Sequence, residues 1–296
     1  MRGILLAGGL GTRLYPMTFP VVKQLLPIYD KPMVYYPLSV LMQAKIREIL
    51  IISTPQALPQ FRALFGDGSR YGLALSYAKQ KEPRGIAEAL LLGASFIKDE
   101  TIALILGDNL FYGPKLGSLL MRYAALEAGA LVFGYRVQDP RRYGVAAFDE
   151  KGHLIDIIEK PTTPPSPYAI TGLYFYDNSA LEIARALKPS SRKELEITEV
   201  NRAYLAAKRL GIHLFDPGFA WLDAGTFEAL HQASNYVQAV QERQDIRIGC
   251  IEEIAYANGW ISAEQLEYLA DKQQKSPYGA HLRSLLLSRP AQICNL

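Results

Sequence analysis

Ile4-Leu5-Leu6-Ala7-Gly8-Gly9-Leu10-Gly11-Thr12-Arg13-Leu14 opens the chain with an apolar, strand-length run that stops in a cluster of glycines and continues into a cation. A short apolar run bounded by a turn reads as a strand buried on both faces. The sequence that follows keeps to this pattern. β-rich runs recur at Ile49 to Ser53, Leu73 to Ala78 and Ile102 to Leu106. Among them, apolar residues at three- and four-residue spacing predict helices over Val34 to Ala44, Leu58 to Phe65, Ile86 to Ile97 and Leu116 to Leu126. Strands buried between such helices should be largely parallel, so the alternation predicts an α/β fold.

Further along, the pattern changes. Ala130 to Val137 leads into Tyr143 to Phe148, the turn Glu150-Lys151-Gly152 and a return run, His153 to Glu159. The last two runs read as a hairpin, so the sheet becomes mixed here. A strand over Ala169 to Tyr176 precedes helices near Ser179 to Leu187 and Ile197 to Lys208, then short strands at Ile212 to Phe215 and Trp221 to Leu222. Thr226 to Gln241 and the segments after Ile251 have helical spacing. We therefore expect a core over residues 1–225 and a helical region over 226–296 packed on it.

Composition narrows the function classes. The chain has 296 residues, 49% hydrophobic and 21% charged, values of a folded globular protein. Lys and Arg total 32 against 29 Asp and Glu, a net +3 too slight for a nucleic-acid coat or a polybasic membrane face. No stretch has the apolar length of a membrane span. The two cysteines, Cys250 and Cys294, are far apart and lack metal-type spacing. That usage points to a reducing cytoplasm, and the start of the chain is too glycine-rich for a signal peptide.

The glycine turn would let backbone N–H groups approach phosphate oxygens. It has neither the Walker ending nor the third glycine of a dinucleotide fingerprint. Arg13 and Lys23 follow it, and a triphosphate needs fixed cations to bind and to stabilise charge on a departing pyrophosphate. Lys23 lies in the apolar stretch Val21-Val22-Lys23-Gln24-Leu25-Leu26-Pro27, where its ammonium calls for an anionic partner. Gly107-Asp108-Asn109 follows a strand, which places Asp108 at the carboxyl edge of the sheet and suits it to hold magnesium; Asp223 is the natural second carboxylate. Glu159 and Lys160 end the hairpin. They offer an acceptor for hydroxyls and a cation for a second anionic group.

Taken in order, Gly8 to Leu14, Lys23-Gln24-Leu25-Leu26-Pro27, Gly107-Asp108-Asn109, Glu159-Lys160-Pro161 and Trp221-Leu222-Asp223 resemble the sugar-nucleotide pyrophosphorylases. Tyr29 to Met33, Tyr35 to Leu38, Thr171 to Asp177 and Leu195-Glu196-Ile197-Thr198 draw the resemblance toward the glucose-1-phosphate thymidylyltransferases, over nearly the whole chain. It implies a Rossmann-like mixed, mainly parallel sheet flanked by helices, an inserted sugar-binding part and a C-terminal helical region that assembles a homotetramer. It also implies magnesium on Asp108 and Asp223, and activated phosphates on Arg13 and Lys23. The nucleotide would lie against Leu6, Gly8, Gly9, Gly11, Thr12, Arg13, Gln24, Gln80 and Gly85. Sugar phosphate would lie against Asn109, Tyr143, Gly144, Glu159, Lys160 and Tyr174. Feedback by dTDP-L-rhamnose at a separate site follows from the same comparison. The chain departs from the common pattern at Leu10, where a serine is usual, and at Arg84 and Glu88, which replace an aspartate and a glutamine beside the base.

The reaction so implied joins dTTP to glucose 1-phosphate. The sugar phosphate is already an anionic nucleophile, so no activating serine, cysteine or histidine is required. The four histidines, His153, His213, His231 and His281, form neither a zinc motif nor an evident base. Uridylyl transfer from UTP is the nearest alternative, since a thymine methyl adds only about 1–3 kcal/mol of discrimination. A non-catalytic nucleotide-sugar sensor, or a nicotinamide-dependent oxidoreductase, fits the motifs less well.

Overall fold

The computed structural model describes residues 1–9 and 11–287. Leu10, Cys294 and the end of the predicted helical region, 288–296, lie outside the described residues. The chain forms strand β1 (Arg2–Leu6), a small ribbon of β2 (Pro27–Ile28) and β3 (Lys31–Pro32), helix α1 (Tyr35–Gln43), β4 (Glu48–Ser53), α2 (Leu58–Phe65), β5 (Ala74–Lys79), α3 (Glu88–Leu92), α4 (Ala94–Ile97) and β6 (Ile102–Leu106). It continues through β7 (Asn109–Tyr112), α5 (Leu116–Ala124), β8 (Ala130–Arg136), β9 (Gly144–Phe148), β10 (Leu154–Glu159), β11 (Tyr168–Tyr176), α6 (Ser179–Ala186), α7 (Ile197–Ala206), β12 (Leu210–Leu214) and β13 (Ala220–Asp223). Four helices follow: α8 (Phe227–Gln244), α9 (Ile251–Ala257), α10 (Ala263–Lys272) and α11 (Pro277–Leu287).

Strands β5, β4, β1 and β6 lie side by side in that order and run parallel. The chain makes them in the order β1, β4, β5, β6, so the direction of growth reverses between β1 and β6. In open α/β sheets the crevice beyond the carboxyl ends at such a point is where ligands bind. Antiparallel β11 joins β6 to β8, β12 runs parallel to β8, and the β9–β10 hairpin attaches to β11 through Val145 and Ala169.

Period-two alternation explains why the central runs are apolar throughout. Leu5, Ile49, Ile51, Ala103 and Ile105 enter the core on one side of the sheet, and Ile4, Leu50, Ile52, Ile102 and Leu104 enter the core on the other. Each isoleucine or leucine so buried contributes about 1.5–3 kcal/mol. A third cluster combines Leu14, Leu26, Ile28 and Met33 with Leu230, Ala233 and Val237 of α8. No helix among the described residues is long and apolar enough to cross a membrane.

One expectation needs correction. The single helix expected over Ile86 to Ile97 is split at Gly93 into α3 and α4. A β-carbon on Gly93 would come within 2.9 Å of Ile4 Cδ1, so the glycine permits close packing on β1 while weakening the helix that contains it. Gly107 and Asp108 lead directly into β7, which pairs with β13 in a separate antiparallel ribbon. β7 owes its existence to that distant partner.

Candidate active site

At the reversal point, Gly107 N–H donates to Leu6 O at 2.8 Å and ties the ends of β6 and β1 together. A β-carbon on Gly107 would lie 2.9 Å from Gln24 Cγ and 3.0 Å from Leu6 O, so a larger residue would force the two strand ends apart. Asp108 comes next. Lys23 Nζ, on the short turn Lys23–Leu25, donates to its Oδ2, and Asn109 Nδ2 donates to its Oδ1 at 3.0 Å. Burial pushes the Asp108 carboxyl up, but Lys23 and the hydrogen bonds outweigh it and hold the group below the usual carboxylate range.

Asn109 is itself fixed from the other end. Its Oδ1 accepts from Trp221 Nε1 at 2.6 Å and from Gly172 N–H at 3.0 Å, which joins β7 to β13 and β11. The ribbon register sets Asp223 opposite Asn109. Burial, then the negative charge of Asp108, pushes Asp223 up to about 6, against the opposing pull of Lys23, Arg142 and Arg13. Arg142 Nη2 stands 3.7 Å from Asp223 Oδ2.

Across the cleft, Lys160 N–H donates to Tyr143 O at 2.9 Å, and the Tyr143 ring packs edge-on against Trp221 with centroids 5.0 Å apart. Glu159 Oε2 accepts from Thr198 Oγ1 at 2.5 Å; its Oε1 accepts from Arg192 Nη2 at 2.9 Å and lies 3.6 Å from Lys160 Nζ. Burial raises the Tyr174 hydroxyl far above the ordinary tyrosine value, so it stays protonated. One cleft of about 270 Å³ is lined by Arg13, Lys23, Asp108, Asn109, Tyr143, Gly144, Glu159, Lys160, Tyr174 and Asp223.

The remaining candidates are not in that lining. Gly8 follows β1, its O accepting from Gln24 Nε2 at 3.3 Å and its α-carbon facing Gln80 so closely that a β-carbon would sit 2.1 Å from Oε1. Gly9 and Gly11 adopt φ of 100° and 61°, the left-handed region that glycine enters without strain. Thr12 begins a short turn, Thr12–Leu14. Gly85 is pressed to 2.4 Å, measured from an added β-carbon, against Leu195 O. The Leu6 side chain belongs to the sheet core, which leaves only its backbone near the loop.

The chain matches the nucleotidyl transferase family over residues 2–240. It belongs to that family. A glucose-1-phosphate thymidylyltransferase of Neisseria meningitidis is 53% identical over 286 residues, covering 97% of this chain and 99% of the relative. The Mycobacterium tuberculosis protein of the same name is 51% identical over 286 residues, with the same coverage of 97% and 99%. Among solved structures, a Bacillus anthracis protein designated a glucose-1-phosphate thymidylyltransferase and solved with sucrose superposes with a TM-score of 0.74 at 38% identity, covering 80% of this chain and 94% of that one. A UDP-glucose pyrophosphorylase complexed with UDP-glucose gives 0.71 at 26% identity, covering 80% and 98%.

In this nucleotidyl transferase, sequence reasoning passed over Arg142, Thr198 and Arg192. Arg142 ends the short 3-10 turn Pro140–Arg142, with nothing local in the sequence to separate it from Arg141. Thr198 stands in a quoted motif, but its bond to Glu159 spans 39 residues. One other group among the described residues could hold a metal. Cys250, Glu253 and His281 present ligand atoms within 4.8 Å of one another, at the start of α9 and on α11, well apart in the chain from the cleft carboxylates. Linear spacing conceals it because His281 arrives from another helix.

Proposed function

We propose that this chain transfers a thymidylyl group from dTTP to α-D-glucose 1-phosphate, giving dTDP-glucose and pyrophosphate for deoxysugar, dTDP-L-rhamnose, biosynthesis in the cytoplasm. The observation that carries the reading is the meeting of Lys23, Asp108 and Asp223 at the β1–β6 crevice, in the same cleft as Glu159 and Lys160. Strong identity to relatives named for this reaction supports it.

An oxygen of the sugar phosphate attacks the α-phosphorus of dTTP in line, and the bond to pyrophosphate breaks. No protein group becomes covalently attached. Arg13 and Lys23 neutralise charge gathering on the leaving group, Lys160 holds the sugar phosphate, and Tyr143, Gly144, Glu159, Asn109 and Tyr174 surround the sugar. Asp108 and Asp223 suit Mg2+: both offer oxygen only, and the burial and mutual repulsion that raise the Asp223 carboxyl are relieved by a hard divalent cation. Magnesium held there would supply charge neutralisation to the phosphates. Leu6, Gly8, Gly9, Gly11, Thr12, Gln24, Gln80 and Gly85 receive the nucleotide.

The helices after residue 225 form the assembly region of a homotetramer. Feedback by dTDP-L-rhamnose would use a second cleft between α1, β7 and α9, where Lys115 and Arg247 supply cations for its diphosphate. Arg247→Ala would then relieve inhibition, and undiminished inhibition counts against that seat.

The deciding experiment follows pyrophosphate release with glucose 1-phosphate and magnesium, comparing dTTP with UTP and omitting each substrate in turn. A preference for dTTP supports the reading. The likeness to a UDP-glucose pyrophosphorylase makes uridylyl transfer the second reading, and a UTP preference would select it. No release from folded protein would favour a nucleotide-sugar sensor.

A further inference from the structure

Cys250 caps the start of α9 and Glu253 stands three residues on, so the two side chains share one side of the first turn. His281 reaches them from α11. The three ligand atoms lie within 4.8 Å of one another, with His281 Nε2 2.8 Å from Glu253 Oε2. Cys250 and Glu253 are buried, and the His281 side chain is only 13% exposed. The frame around them is fixed. Tyr278 Oη donates to Glu252 Oε2 at 2.6 Å, which ties α11 to α9 and commits the neighbouring carboxylate, while Leu282 packs in the same core as Ile251 and Ala255. The Cys250 thiol itself has only a long contact, 3.9 Å, to Glu252 Oε2. A tetrahedral zinc ion sets nitrogen, oxygen and sulfur donors about 3.3–3.8 Å apart, so side-chain movements of about 1 Å would bring these three around one centre.

We propose that Cys250, Glu253 and His281 form a zinc site that clamps α9 to α11. Thiolate, imidazole and carboxylate together suit a borderline-soft divalent ion, unlike the all-oxygen pair Asp108 and Asp223. On binding, the Sγ–H bond breaks and its proton leaves to solvent; sulfur bonds the metal, and His281 Nε2 gives its lone pair to the ion in place of its contact with Glu253. The fourth position falls to water or to a ligand donor from the second cleft, since Cys250 and Glu253 also line that cleft. The site requires no substrate, so it stands apart from the nucleotide-transfer reading.

The test strips the full-length protein with chelator and titrates it with Zn2+ in excess Mg2+, which keeps the all-oxygen carboxylates occupied. A parallel titration uses Co2+, whose bond to a thiolate gives an intense near-ultraviolet charge-transfer band. A single ion per chain is expected, with a higher thermal midpoint in zinc than in magnesium alone. Cys250→Ser should abolish the cobalt–thiolate band, and His281→Gln should weaken zinc binding by about 100-fold or more, beyond the loss from altering an outer-shell partner. Cys294→Ser should keep the band, which separates this site from the other thiol of the chain. Wild-type protein without the band, or a band that survives in Cys250→Ser, overturns the proposal. Unchanged zinc affinity in His281→Gln overturns it equally, and decides the matter should Cys250→Ser fail to fold.

Discussion

Asp223 stands across the β7–β13 ribbon from Asn109, the residue next to Asp108, so backbone pairing alone carries the second carboxylate to the first. The partial burial of both acids and the rise of Asp223 toward 6 are consequences of that register.

Asp108→Asn or Asp223→Asn removes half of the anionic donor set. Turnover at saturating substrates should fall by about 100-fold or more, the range seen when charge stabilisation is removed from a transfer site. Thermal unfolding of Asp223→Asn should stay near wild type, since a like-charge repulsion disappears with the carboxylate. Pyrophosphate release across a magnesium titration measures the effect, and wild-type turnover in either variant refutes the metal assignment.

Lys160→Ala should act on one substrate. The KM for glucose 1-phosphate should rise about 10- to 100-fold with little change in that for dTTP, as expected for a lost charge-assisted contact to phosphate. An unchanged glucose 1-phosphate KM would remove Lys160 from the sugar-phosphate site.

Asn109→Ala leaves Trp221 Nε1 and Gly172 N–H without their acceptor. Each unsatisfied buried donor costs about 1–3 kcal/mol, so the denaturant midpoint should drop clearly. Asn109→Asp retains the acceptor but sets another carboxyl beside Asp108; it should recover stability better than activity. Equal stability of Asn109→Ala and wild type would mean the bridge contributes nothing.

Asp177 joins the end of β11 to its surroundings. Its carboxylate accepts from Tyr204 Oη at 2.6 Å, Gly129 N–H at 2.5 Å and Ser179 N–H at 3.0 Å, and is paired with Arg209. Burial pushes the carboxyl up, and these hydrogen bonds overcome it to hold it below its ordinary value. A depressed folded-state value contributes stability that is complete above the unfolded value of about 3.9 and is lost as pH falls through the folded one. Asp177→Asn should therefore be less stable than wild type at neutral pH, with the gap closing as pH falls below the ordinary carboxylate range and the wild-type carboxyl is protonated. Urea midpoints across that range provide the check, and a gap that widens in acid contradicts it.

The sequence disclosed what local pattern controls. The parallel strands appear as apolar runs because both faces are covered, and Leu58–Phe65 coincides with its predicted helix because its apolar spacing is uninterrupted. The candidate cations and carboxylates were legible as glycine-turn and strand-end residues, since sheet topology carries such positions to one edge. What escaped depends on partners distant in the chain. β7 is a strand because of β13, and Asn109 turns inward because Trp221 and Gly172 need its oxygen.

Leu14 and Leu26, which seat the segment bearing Arg13 and Lys23, share their buried cluster with Leu230, Ala233 and Val237, more than two hundred residues away. During synthesis the glycine loop therefore leaves the ribosome long before the helix that gives its leucines a place to pack. The first motif to be translated is among the last to acquire its final shape, and a chain halted before α8 would carry the loop's cations without the apolar support that aims them.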